Sequence, residues 1–187
     1  MAAFTPQDPD FEAHVRESFT RLTLMRTIGG GLLRVAPGEI EIDLPFREDL
    51  TQHHGFMAAA VLTAIADVAC GYAAMSLMPA GASPLTVEYK VNFVSPAQGE
   101  RMSARGHVIR PGRTVTACAG NVFAVTEGQE KLVATMLATI IQVGGERGVS
   151  ALQGEERTHR RLRGTRSWCV CRGGGLRRRL REVAGLH

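Results

Sequence analysis

One ionisable side chain interrupts the most apolar stretch of the chain. Asp67 lies inside MAAAVLTAIADVACGYAAMSL, residues 57–77, where Ala, Leu and Met dominate. A carboxylate buried in such surroundings is costly unless it is paired. Burial disfavours the ionised form of a carboxylic acid and so suits it to take up a proton, which makes Asp67 the candidate general base. The competing reading is a structural Asp hydrogen-bonded to backbone or to a partner chain. Gln52-His53-His54-Gly55 comes just before this run. Polar, flexible residues ahead of a helix leave its first backbone N–H groups free, and these, with the helix dipole, can stabilise an oxyanion. A plain polar loop with a cap is the alternative there.

Other chemistry-bearing residues are weaker candidates. Two adjacent histidines with no third ligand at a usual spacing do not make a zinc site. Arg110 and Arg113 flank Pro111-Gly112 and, with Lys90, are candidates for the phosphates of a nucleotide-bearing substrate, against a reading as solvated surface charge. Cys70 and Cys118 read as small core residues, and Cys169-Val170-Cys171 has only His159 nearby. Gly29-Gly30-Gly31 lacks the Lys-Ser/Thr that a phosphate loop requires.

The elements that must position Asp67 follow from periodicity. The run around it predicts one long helix from about Met57 to about Leu77, stopped by Pro79. Being apolar all round, it should be buried on nearly every side, with alanines allowing close approach of a sheet. Ahead of it, Phe11, Val15 and Phe19 share a face of a short helix over 9–20. Ile40, Ile42, Leu44 and Phe46 alternate with Glu39, Glu41 and Asp43 as a half-wet strand, with Leu32–Val35 as hairpin partner across Pro37-Gly38. Behind it, Leu85, Val87, Tyr89, Val91 and Phe93 alternate with polar residues, and three further strand patterns cover 101–110, 114–125 and 131–143. Links such as Pro111-Gly112 and Glu127-Gly128 read as hairpins, so the sheet should be antiparallel and wrapped around the helix. The last strand is apolar on both faces, which predicts at least a dimer.

The chain has 187 residues, 44% of them hydrophobic, and no signal-peptide pattern at its start. Four cysteines without framework spacing point to a reducing, cytoplasmic setting. The formal net charge of +4 is uneven. Residues 1–145 hold 11 basic and 14 acidic side chains, whereas residues 146–187 hold 11 Arg and 4 Glu. The expected division is therefore a globular domain over 1–145 and an Arg-rich, disordered tail over 146–187. Nucleic-acid contact, if any, belongs to the tail alone, and a lone apolar run carrying Asp67 does not read as a membrane span.

Four blocks in order, QHHGFMAAAVLTAIADVACGYAA (52–74), LTVEYKVNFVSPAQGE (85–100), VIRPGRTVTACAGNVFAV (108–125) and KLVATMLATI (131–140), resemble the PaaI-like acyl-CoA thioesterases, which are hotdog-fold proteins. The resemblance covers roughly residues 15 to 143. It implies an α+β fold, a long central helix wrapped by a five- or six-stranded antiparallel sheet, assembled as a homodimer and further as a homotetramer with active sites between subunits. It implies an acyl-CoA or aryl-CoA substrate and no separate cofactor, CoA being part of the substrate. Asp67 would act as general base or nucleophile, and backbone amides at the helix start would polarise the thioester carbonyl. Members of the family carry a His nine positions before the Asp, where this chain has Ala58 in the triplet Ala58-Ala59-Ala60. The Ala59 N–H can still serve as oxyanion donor, and His54, with Gly55, can assist only if the loop folds back. The alternative within the fold is a non-catalytic protein that binds CoA thioesters or acts as an assembly scaffold.

Overall fold

The computed structural model describes residues 4–144, so the Arg-rich segment over 146–187 lies outside the described residues. The order of elements is α1 (Phe11–Thr20), α2 (Thr23–Ile28), β1 (Gly31–Ala36), β2 (Glu39–Pro45), a 3-10 turn (Glu48–Leu50), α3 (Ala59–Met75), β3 (Ala82–Phe93), β4 (Arg101–Arg110), β5 (Val115–Thr126) and β6 (Gln129–Gly144). The strands form one six-stranded sheet in the order β1-β2-β4-β5-β6-β3, and every neighbouring pair is antiparallel. This is the hotdog arrangement, with the 17-residue α3 held in the curl of the sheet. Among the described residues no helix is long and apolar enough to cross a membrane.

Small residues set how closely α3 meets the sheet. Leu62, Ile65, Ala66, Ala69, Cys70 and Ala73 are buried. They face β4 and β5, where Gly106 and Gly120 leave room for the helix backbone. A Cβ on Gly106 would come within 2.3 Å of the Ala69 carbonyl carbon, and one on Gly120 within 2.9 Å of Cys70 Sγ. Inward side chains Ile40, Ile42 and Leu44 of β2, Met102 and Ala104 of β4, and Met136 and Ile140 of β6 complete the core.

The expectation that α3 is buried on nearly every side holds only in part. The sheet covers one side, and Ala60, Ala64, Asp67, Val68 and Met75 stay half-buried or exposed on a row that buried Gly71 interrupts. At the N-terminus, Val15 and Phe19 of α1 are buried as the spacing implies, and the run after them forms a second short helix, α2, closed by Gly29 at φ +84°.

The reading of β3 as a simple alternation also needs correction. The ladder with β6 slips between Thr86 and Glu88. Thr86 lies opposite buried Ile140, and beyond the bulge Tyr89, Val91 and Phe93 lie opposite Ala138, Met136 and Ala134. Residues paired across a ladder share a face. Thr86 therefore points toward the helix with Tyr89, Val91 and Phe93, while Leu85 and Val87 do not. Because β3 is the edge strand, Tyr89 and Phe93 remain about half exposed although they occupy the helix-facing side.

Candidate functional site

The segment leading into α3 is tied down by its backbone. Gln52 N–H donates to Phe56 C=O at 2.8 Å, Gly55 N–H to Gln52 C=O at 2.9 Å, Met57 N–H to Ala97 C=O at 2.9 Å, and Ala58 N–H to Leu50 C=O at 2.9 Å. Gly55 takes φ +79°, which a glycine adopts without strain, and so closes the turn. Ala58 is the helix N-cap, extended in conformation and without a side-chain cap. Its carbonyl accepts from Val61 and Leu62. The next two amides, of Ala59 and Ala60, have no acceptor among the described residues, and both residues are exposed. They are the free donors of a helix start, at the positive end of its dipole.

A cleft of about 250 Å³ opens at this point, lined by Gln52, Phe56, Met57, Ala59, Leu62 and Phe93 and floored by the 95–97 segment. The Gln52 side-chain oxygen accepts the His54 backbone N–H at 2.5 Å. That assignment leaves the two N–H donors of the Gln52 amide free to face the cleft. His54 is exposed, its imidazole lies against that of His53 with ring centres 3.9 Å apart and planes tilted by 47°, and it does not line the cleft.

Asp67 lies eight residues further along α3. It is half-buried, and its Oδ1 accepts a hydrogen bond from the Thr86 hydroxyl at 2.8 Å. The slip in β3 puts that hydroxyl on the helix side of the edge strand, one carboxylate oxygen is thereby fixed, and Oδ2 is left available. At 1.5 Å of rise per residue, Asp67 stands about 12 Å along the axis from Ala59, and it does not line the Ala59 cleft of its own chain.

The two buried thiols take no part in nucleophilic chemistry. Burial pushes the Cys118 thiol up to about 12. Burial, then the neighbouring Cys118 and Asp67, raise that of Cys70 further. Both stay protonated near neutrality, and a thiol is not the nucleophilic form. Among the described residues no cluster of three His, Cys, Asp or Glu could hold a metal ion.

The three basic candidates lie apart from the cleft. Lys90 is exposed on β3, paired with Leu137 on the outer face of the sheet. Arg110 and Arg113 are exposed around the β4–β5 hairpin. That hairpin sits at the end of the sheet where Gln142 N–H meets Thr114 C=O, whereas the cleft sits at the other end, where Val94 N–H meets Val133 C=O.

So the structure groups Ala59 and Gly55 around one turn and cleft, leaves the His54 ring outside it, and places Asp67, Lys90, Arg110 and Arg113 elsewhere on the protomer. Sequence reasoning did not single out the Gln52 amide, Phe56, Phe93 or Thr86. The alternation in β3 assigned Thr86 to the wet face, and only the bulge reverses that.

Comparison with known proteins agrees with the fold. Residues 54–131 match the Thioesterase superfamily. A thioesterase family protein from Silicibacter pomeroyi is 44% identical, aligned over 72% of this chain and 99% of its own, with a TM-score of 0.71. The E. coli PaaI protein from the phenylacetic acid degradation operon shares the fold at 16% identity and a TM-score of 0.66, over 74% of this chain and 97% of its own. A protein named as an esterase from Halobacterium salinarum is 31% identical over 49% of this chain, which spans only 64% of that relative. On these grounds the chain belongs to the hotdog-fold thioesterase superfamily, with PaaI-type proteins among its structural relatives.

Proposed function

We propose that this protein hydrolyses acyl- or aryl-CoA thioesters to the free acid and CoA, in a site shared by two copies of the chain. The observation that carries the reading is a half-buried carboxylate fixed by Thr86 on a helix whose first amides are free beside an apolar cleft. One carbonyl cannot use both from a single chain. A water attacking it and the donors holding its oxygen must lie within about 3 Å of the same few atoms, while Ala59 and Asp67 stand about 12 Å apart along a rigid helix. Two helices lying antiparallel across a two-fold axis near Thr63 remove the conflict, since Asp67 of one chain then comes level with Ala59 of the partner subunit.

The half-buried residues around Asp67 on α3 and the half-exposed Tyr89 and Phe93 on the edge strand β3 support an interface on that side. The same two-fold carries the partner's Arg110 and Arg113 to the end of the sheet that holds the Ala59 cleft, where they would meet CoA phosphates, while Lys90 stays on the outer face.

In the reaction, Asp67 Oδ2 takes a proton from water as the water oxygen attacks the thioester carbonyl. The resulting oxyanion is held by the N–H of Ala59 of the partner subunit, with the partner's Gln52 donating beside it in place of an imidazole at residue 58. Collapse of the tetrahedral species breaks the carbon–sulfur bond and releases the CoA thiolate. Direct attack by Asp67 on the carbonyl is the second reading of the same geometry.

Two substitutions test this in a thiol-release assay on an acyl-CoA panel. Asp67→Asn keeps the shape and removes the base, and should lower kcat by about 10²–10⁴. Ala59→Pro removes the donor at the first helical position, where proline is best tolerated and where the extended Ala58 already suits it. It should lower kcat by about 10²–10³ with melting unchanged. Parent-like rates from either variant would overturn the mechanism, and CoA-thioester binding without thiol release by the parent would favour the non-catalytic reading.

A further inference from the structure

A groove of about 650 Å³ opens beside the Ala59 cleft, lined by Phe46, Pro96, Gln98, Glu100, Thr126 and Lys131. The chemistry proposed above does not use it. The 95–100 segment joins the two hollows. Pro96 lines both, and the Ala97 carbonyl accepts from Met57 N–H in the turn ahead of α3. That segment is fixed to the end of the sheet. Glu100 N–H donates to Val125 C=O at 2.8 Å, and Phe46 N–H donates to Glu100 C=O at 2.9 Å. A Cβ on Gly99 would stand 2.7 Å from the Val125 oxygen, so a side chain there would push the segment off β5.

The side chains of the groove are not engaged elsewhere. Phe46 is 36% exposed although aromatic. Glu100 and Lys131 are exposed and make no ion pair, with each other or with any other described residue. Lys131 lies opposite buried Ala124 in the ladder, so its side chain leaves the sheet on the side that carries α3. An open aromatic face, a carboxylate and an ammonium in one hollow match a purine that carries a phosphate. The base stacks on the ring, its amino group donates to the carboxylate, and the phosphate meets the cation.

Resting on the thioesterase reading above, we infer that this groove binds the adenosine 3′-phosphate end of CoA. Adenine stacks on Phe46 and donates its amino group to Glu100. Lys131 holds the 3′-phosphate, with the Thr126 hydroxyl donating beside it. The diphosphate, between groove and cleft, is left to the partner's Arg110 and Arg113. The protein thereby selects the carrier of the acyl group: a free CoA thioester is favoured over the same acyl group on a bare pantetheine arm.

The test is kcat/KM of the parent, Phe46→Ala, Phe46→Leu and Lys131→Ala on hexanoyl esters of CoA, 3′-dephospho-CoA and pantetheine. Calorimetric titration with adenosine 3′,5′-bisphosphate and melting temperature are measured on the same samples. Lys131→Ala should lose about tenfold on the CoA ester alone. Phe46→Ala should lose about tenfold on both nucleotide-bearing esters and not on the pantetheine ester. Phe46→Leu keeps the apolar bulk, removes the ring face and should show the same selective loss with parent-like melting. Bisphosphate binding should weaken by the same factors. An equal loss on all three esters, or an unchanged preference and unchanged bisphosphate binding in Phe46→Leu and Lys131→Ala, overturns the inference and leaves the thioesterase reading standing. Bisphosphate binding that depends on Phe46 and Lys131, in a parent that releases no thiol, supports the groove and refutes the hydrolysis.

Discussion

Replacing glycine by alanine at three positions around α3 should give three different outcomes, ordered by what the new methyl group meets. At Gly106 the Cβ would lie 2.3 Å from the Ala69 carbonyl carbon, 2.4 Å from its oxygen and 2.6 Å from Cys70 N. Ordinary contact begins near 3.5 Å, so the overlap is about 1 Å. All three atoms are helix backbone, which cannot rotate aside, so α3 as a unit must lift from β4. Overpacking of this kind costs about 3 kcal/mol or more, at the upper end of the usual range. The chain-entropy gain from removing a strand glycine returns about 0.5–1 kcal/mol, and the net loss is about 2 kcal/mol or more. At Gly120 the nearest atom is Cys70 Sγ at 2.9 Å, a side chain that can yield slightly, with Ala66 C=O at 3.4 Å. There the two effects nearly cancel, for a net loss of about 1 kcal/mol or less. At Gly71 nothing is met, and alanine should stabilise by about 0.5–1 kcal/mol. Urea titrations with an unchanged m-value would read these differences as shifts of midpoint. In a domain of this size Gly106→Ala should melt roughly 5–10 °C below the parent. Lifting α3 also draws Asp67 from Thr86, so kcat should fall in the fraction that folds. Equal melting of all three variants, or Gly106→Ala above Gly71→Ala, would refute the account of how helix and sheet meet.

Two further outcomes are open to measurement. Asp8, 6% exposed, contacts His14 at 2.5 Å. The hydrogen bond to His14 holds the Asp8 carboxyl below its ordinary 3.8, and the same bond to Asp8 raises His14 above 6.5. The Asp8 contribution is therefore present above about pH 3.8 and lost below it, and that of His14 is complete below pH 6.5 and lost as pH rises through its elevated folded value. The melting difference between parent and His14→Gln should be widest between those limits and shrink on the alkaline side, and a difference constant from pH 5 to about 9 would contradict the assignment. Ala58→His places an imidazole at the N-cap beside the free Ala59 amide and should raise kcat by about tenfold if a side-chain donor is what the site lacks. No gain would leave Gln52 as sufficient.

The hairpins were legible because their turns carry the residues the backbone demands. Gly38 takes φ +74°, and Glu127 and Gly128 take φ +49° and +75°, the doubly left-handed turn that matches strand twist. The central helix was legible from alanine and leucine alone, within two residues at each end. The missed features share a cause, which is that period-two alternation records a face only while the ladder stays in register. A one-residue slip at Val87 reversed the assignment for half of β3, and with it the reading of Thr86 as a wet residue rather than the partner of Asp67. The short α2 was invisible as a helix because six residues give too few turns for a period to register.

Asp67 was legible as a residue and not as a site, and the reason is geometric. A sequence reports that a carboxylate and a helix start share one helix. Eight residues of that helix already put them about 12 Å apart, and what the sequence does not report is the neighbour that would close the gap. Read as one chain, the two halves of the chemistry are near each other in number and out of reach in space. Three features the protomer leaves unexplained are the free amides of Ala59 and Ala60, the half-buried residues around Asp67 on α3, and aromatic residues facing inward on β3, which is paired with β6 along one edge only. Each leaves open to water a group that a partner could meet. The second copy proposed above, laid antiparallel along α3, would supply the carboxylate that the Ala59 cleft lacks and cover the edge that β3 leaves open.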